Sequence, residues 1–266
     1  MVTKNSNLSL YLRIISYSVL AFTLAFLINN VLTVWSDWPG IKKIFSHHEM
    51  FGYKKKALEG SDLNYGYMQI GLYLICIAAV VFYVFKTYSQ TLEQDSKILS
   101  RFSAYLVRSS FWAVFLVGVA DFVISFMVVE RLWEAIFSPE VKALMVKAPV
   151  RITYIHFPII LISFVIGYFT KSVGFIWLAV LVVVSEFVIV LSRFIFSYEQ
   201  AFQGDLVRFW YAALYLFASA YALIHEGHVR VDVLYSSFSE KKKAWTNMVG
   251  SAVLGVPLTL IVIFLG

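Results

Sequence analysis

The five histidines of this 266-residue chain are the first side chains that could do chemistry, as ligands of a metal or a haem. His225, Glu226, Gly227 and His228 read H-E-G-H. That string lacks the i, i+4 spacing that sets the two histidines of H-E-x-x-H on one helical face around zinc. A membrane haem needs histidines deep in facing helices, whereas His156 lies close to a helix start, His225 close to a helix end, and His47 and His48 in a loop. Interfacial histidines are the plainer reading, and no metal site or other cofactor is expected in this chain. The single Cys76 can close no intrachain disulfide and forms no CxxC pair. With no Ser-His-Asp set, phosphate loop or paired carboxylates in the sequence, an enzyme is not expected.

Ionisable residues inside apolar runs are more informative, because a charge at membrane depth is costly and faces protein or water. Glu186 sits near the centre of one such run, seven residues before Arg193 and so on the same helical face. At 1.5 Å per residue the two are about 10 Å apart along the axis, too far for a direct bond without a third partner. Two roles fit Glu186: a coupling-ion or proton site, and a polar contact to another subunit, of which the second is favoured. Asp121 falls within a turn or two of an interface, and Asn29 and Asn30 read as packing or terminal groups.

These residues must be positioned by membrane helices. The chain is 60% apolar and 14% charged, against about 25% charged in ordinary soluble domains. Twenty-two Lys and Arg against sixteen Asp and Glu give +6, yet the basic residues lie between long apolar runs, which excludes a nucleic-acid domain. A bilayer core of about 30 Å needs roughly 20 apolar residues per helix. Runs of that length predict about seven spans: 14–34, 68–88, 102–129, 152–170, 175–196, 206–224 and 245–266. Continuous runs rather than ten-residue alternations exclude a barrel, so the fold class is an all-α polytopic membrane protein with interfacial helices. The first run, flanked by Lys4 and Arg13, has the look of a signal peptide but lacks an A-x-A cleavage site. Only four residues, Lys171 to Gly174, separate the fourth and fifth spans, which demands an antiparallel hairpin.

Two loops stand out. Residues 35–67 hold Lys42, Lys43 and Lys54 to Lys56 interleaved with Trp38, Phe45, Phe51 and Tyr53, a mixture suited to the headgroup region. In the second, Ser138, Pro139 and Glu140 make a helix start before Val141, Leu144 and Met145, which predicts a short helix lying on the membrane. Lys and Arg divide evenly between the two sides over the whole chain. The loop with Arg230 and Lys241 to Lys243 is nonetheless far more basic than residues 197–205, so it is expected in the cytoplasm. Parity then puts the N-terminus there too.

From Phe175 onward the sequence resembles the small membrane subunit, or Q subunit, of tripartite ATP-independent periplasmic (TRAP) transporters. Three features carry the resemblance: Ser192-Arg193-Phe194-Ile195-Phe196 followed by a polar turn with Asp205; Ala220-Tyr221-Ala222-Leu223 leading into Gly227-His228-Val229-Arg230-Val231-Asp232; and Ser236 to Ser239, a basic run to Trp245 and a last helix containing Pro257. The resemblance implies two regions, an N-terminal membrane extension of about four helices over 1–170 and a small-subunit-like region over 171–266. It implies a non-catalytic subunit that packs against a large transport subunit, enlarges its static scaffold and serves sodium-coupled uptake of an organic acid or related solute delivered by a periplasmic binding protein. Sodium ions belong to the large subunit on that reading, and the location is the bacterial inner membrane. Glu186, Arg193, Asp205, His228, Arg230 and Asp232 are the expected contacts to a partner or to lipid, with Gly227 and Pro257 as structural-turn residues. The family's small subunit has four helices, so the natural chain is expected to continue past Gly266. The alternative is a self-sufficient carrier or ion-translocating subunit in which Glu186, Asp121 and His156 form one polar path; it lacks the Gly/Pro-broken helix pair that marks midplane sites.

Overall fold

A computed structural model describes residues 7–171, 175–197, 200–224 and 234–265. Its described elements are helices: α1 (Asn7–Trp35), α2 (Ile41–His47), α3 (Ser61–Lys86), α4 (Leu92–Val129), α5 (Trp133–Ile136), α6 (Pro139–Met145), α7 (Ala148–Arg151), α8 (Phe157–Phe169), α9 (Phe175–Phe196), α10 (Ala201–Ile224), α11 (Glu240–Gly250) and α12 (Val256–Leu265). Among the described residues, six helical stretches are long and apolar enough to cross a membrane, and the 24-residue α10 adds a further helix of spanning length. The chain is an all-α, multi-pass membrane protein.

Helix ends run past the apolar runs that announce them. α1 starts at Asn7 rather than Ile14, α4 at Leu92 rather than Phe102, and the last helix at Glu240 rather than Trp245. Hydrogen bonding, not hydropathy, defines a helix, and charged turns continue it; the Glu93–Lys97 pair at i, i+4 (2.6 Å) supports the first turns of α4. Ser138 stands at the N-cap position of α6 as expected, with Pro139 in its first turn, and Ser239 stands at the N-cap of α11; neither side chain makes a capping hydrogen bond.

Two helices contain a π segment, Ile152–His156 between α7 and α8 and Ser251–Gly255 between α11 and α12. Each ends two residues before a proline, Pro158 and Pro257. Proline has no N–H and its ring crowds the carbonyl four residues back, and the wider i→i+5 register accommodates both defects without breaking the helix. Pro257 thus sits inside a continuous helix.

Two compact units divide inside α4, at residues 105 and 106. In the first, α1 and α3 are antiparallel: Tyr17 meets Tyr83 edge-on at 5.4 Å, Phe22 meets Tyr73 at 5.1 Å, and Gln69 donates to Thr33 Oγ1 at 3.2 Å. In the second, α8 and α10 each run antiparallel to α4. Gly167 lies so close to Ser109 that a Cβ would stand 2.9 Å from the Ser109 Cα, and Gly118 accepts the Trp210 indole in the same way. α9 and α10 form a hairpin in which Gln203 donates to Ser192 Oγ at 2.7 Å. This division concerns packing and follows a different line from the division at 170 and 171 drawn by resemblance.

Candidate functional site

The face that α9 turns away from α10 is built from helical spacing. Leu178, Ser185 and Ile189 are buried, while Val183, Glu186, Phe187, Val190 and Phe194 recur at three- and four-residue intervals along an exposed stripe. Glu186 is the twelfth of 22 residues in α9, at the middle of the span. Among the described residues it has no hydrogen bond or ion pair, and none joins it to Arg193, which lies exposed in the last turn. An ionised side chain at that depth costs about 3 kcal/mol on insertion scales unless something answers it.

Asp205 lies in the first turns of α10, exposed and paired with Arg208 at 3.5 Å. His228, Arg230, Asp232 and Gly227 fall outside the described residues. Of the three groups in the expected polar path, Asp121 and His156 come together and Glu186 stays apart. Asp121 Oδ1 accepts from His156 Nε2 at 3.0 Å and from Arg151 Nη1 at 3.1 Å.

Arg151 was not foreseen as a partner, and the reason is geometric. Residues five apart are about 140° apart on an α-helix at 100° per residue, so periodicity separates Arg151 from His156. The intervening π segment bonds i to i+5, with Phe157 N–H donating to the Ile152 carbonyl, and this re-registration lets both side chains reach one carboxylate. Pro158, two residues past His156, is the sequence signal that could have revealed it.

A second missed group is the pair Arg13 and Asp95. Arg13 reads as a flank of the first span, yet it is 2% exposed. Its Nε donates to Asp95 Oδ2 at 2.5 Å, Nη1 to the Thr87 carbonyl at 2.9 Å and Nη2 to Thr87 Oγ1 at 2.8 Å, while Tyr17 donates to Asp95 Oδ1 at 3.1 Å. All three guanidinium nitrogens are used, which is what a buried cation requires. The pair fastens α1 to the α3–α4 turn.

Two cavities lie in the second unit. One of about 170 Å³, lined by Val119, Phe122, Val184 and Gln203 among others, is smaller than the roughly 300–1,000 Å³ usual for small-molecule sites. A surface cleft of about 510 Å³ is walled by Ile124, Val128 and Met145, with Arg151 and Asp205 at its polar edge. Neither includes Glu186.

The exposed stripe of α9 belongs to a segment with a recognisable relationship. Residues 180–266 match the family model of tripartite ATP-independent periplasmic transporters, DctQ component. That segment is similar to TRAP small membrane components. It begins in the second turn of α9 and includes Glu186, the α9–α10 hairpin and the last helix, so the resemblance read from the residues after Phe175 holds. No curated protein and no solved structure matches the chain. The matched family is one component of a tripartite system, which implies a large membrane subunit and a periplasmic binding protein beside members of that family.

Proposed function

We propose that this chain is a non-catalytic subunit of a sodium-coupled TRAP transporter in the bacterial inner membrane, with its N-terminus in the cytoplasm. Its exposed α9 face docks the large transport subunit and enlarges the static scaffold for uptake of an organic acid or related solute, while sodium and substrate are bound elsewhere in the complex. The N-terminal helices over 1–170 form an added membrane region.

The observation that carries this reading is Glu186: a mid-span carboxylate on the DctQ-matched helix, exposed, and unanswered among the described residues. In lipid alone that arrangement is unfavourable. A partner helix offering a hydrogen-bond donor at the same depth supplies the missing contact, and such interhelical bonds are worth about 0.6–2 kcal/mol. The last helix supports the same reading, since none of its apolar window is buried.

The carrier alternative draws on the Asp121–His156 contact and the cleft beside Arg151, but a single path needs Glu186 in the same cavity. Co-purification from native membranes tests the two. The scaffold reading expects a large many-helix partner, and Glu186→Gln should weaken its recovery several-fold before transport by the assembled remainder is affected. Isolation of the chain alone as an active carrier, or loss of transport in a fully assembled Glu186→Gln complex, would overturn it.

A further inference from the structure

The segment joining α1 to α3 is folded back on the helices it connects. Gly40 N–H donates to Gln69 Oε1 at 2.9 Å, and Gln69 in turn donates to Thr33. Ile44 of α2 is fully buried against Gly66, where any Cβ would collide with the Ile44 side chain. Because Gly66 and Gln69 lie inside α3, α2 sits beside the first turns of a membrane span rather than beyond its end. A segment pinned there occupies the headgroup layer, whose thickness beyond the hydrocarbon is about 5–8 Å per side.

The segment is also closed on itself. Lys56 N–H donates to the Ser46 carbonyl at 3.2 Å, Leu58 N–H to His47 Nδ1 at 2.9 Å, and the Ser46 hydroxyl to the Lys54 carbonyl. Its tip is apolar and turned outward: Met50, Phe51 and Tyr53 are exposed, Phe51 at 77%. Phe51 meets only the edge of Phe45 among described rings, at 5.1 Å. Glu49 and Phe51 have φ of 56° and 54°, a left-handed backbone that a bulky residue disfavours. The same segment carries Lys42, Lys43, Lys54, Lys55 and Lys56, all exposed. Within 41–58 these five face one acid, Glu49, for a balance of 5 − 1 = +4. Of these five lysines, only Lys55 has an ion pair among the described residues, with Glu49 at 3.3 Å. The acids Asp37, Glu59 and Asp62 stay at the roots of the segment.

Strain and exposed aromatic area on a membrane-tethered tip, in a segment with four exposed lysines outside any described ion pair, describe an interfacial anchor. We propose that residues 41–58 form a binding site for anionic phospholipid. Met50, Phe51 and Tyr53 enter the boundary between headgroups and acyl chains, and the lysines hold the phosphates. An acidic protein surface would satisfy the lysines but leave the aromatic tip without the apolar phase that its depth provides.

The test uses the full chain in a Cys76→Ser background, with Met50→Cys carrying a fluorophore, reconstituted in phosphatidylcholine vesicles with or without phosphatidylglycerol. The site requires quenching by bromine-labelled acyl chains that rises when phosphatidylglycerol is present. Each lysine near an anionic surface is worth roughly fivefold in local preference. The Lys54→Gln/Lys55→Gln/Lys56→Gln variant should therefore lower the enrichment of phosphatidylglycerol around the probe by about tenfold or more, with unfolding unchanged. Phe51→Ser should reduce acyl-chain quenching but keep the dependence on phosphatidylglycerol. A probe quenched by aqueous iodide and blind to brominated lipid in every vesicle, or shielded only when a protein partner is added, would overturn the proposal.

Discussion

In the first unit, the polar groups of the spans answer one another: Arg13 reaches Asp95 and Thr87, Tyr17 shares Asp95, and Gln69 ties Thr33 to Gly40. In the DctQ-matched region, Glu186 faces outward from the middle of α9, and the last helix has none of its apolar window covered. The contrast teaches where each region finds its stability. Helices that satisfy their own charges form a self-contained pair, whereas helices that present a charge and an apolar face to the outside fit the proposed docking of another chain.

The largest effect is expected from breaking the internal pair. Asp95→Ala leaves the Arg13 cation buried without its counter-ion and should cost about 3–5 kcal/mol, read as a drop in the denaturation midpoint of the detergent-solubilised chain. The double variant Arg13→Met/Asp95→Leu should recover much of that loss, because it removes the uncompensated charge. Equal damage in the single and double variants would show that the pair is not what holds α1 to the α3–α4 turn.

Next in size is the close approach of α4 and α8. Gly167→Val pushes a side chain into Ser109, whose Cα and N lie 2.9 and 3.0 Å from the position a Cβ would take, at a cost of about 1–3 kcal/mol. Gly71→Ala in α3 is the control, since nothing stands within 4 Å of its would-be Cβ; it should be neutral or stabilising by up to about 1 kcal/mol.

The comparison sharpens on Glu186. In the isolated chain Glu186→Leu should not destabilise, because no described contact is lost, and insertion gains up to about 3 kcal/mol. A fall in stability like that of Asp95→Ala would mean that α9 answers its charge within the chain after all.

The smallest effect is expected outside the spans, at Glu134. Lys142 donates to this exposed carboxylate and holds its pKa below the usual 4.5. A depressed carboxylate stabilises above its unfolded value and loses that contribution as pH falls through the folded value. Glu134→Gln should therefore leave the unfolding midpoint at pH 7 nearly unchanged, because the pair is screened by solvent, and any difference should vanish once the pH falls below the depressed folded value.

Much of this was legible beforehand because it is local. An apolar run long enough to cross the bilayer must satisfy its backbone internally, so the bounds of α9, 175–196, follow from composition alone. The Ser138-Pro139 start of α6 is equally local, and so is the family signal after Phe175. The sequence by itself therefore determined the fold class, the approximate spans and the relationship to TRAP small components.

Only the tertiary structure decided which charges are answered. Arg13 and Asp95 are 82 residues apart and meet because α1 and α3 pack antiparallel in one register; nothing in either neighbourhood announces it. Arg151 and His156 converge on Asp121 through a π segment that ordinary helical periodicity conceals. Glu186, conspicuous in the sequence, is left outside every described contact. Apolar runs are fixed by the solvent around them, whereas the pairing of polar groups depends on distances set by the packing of distant helices.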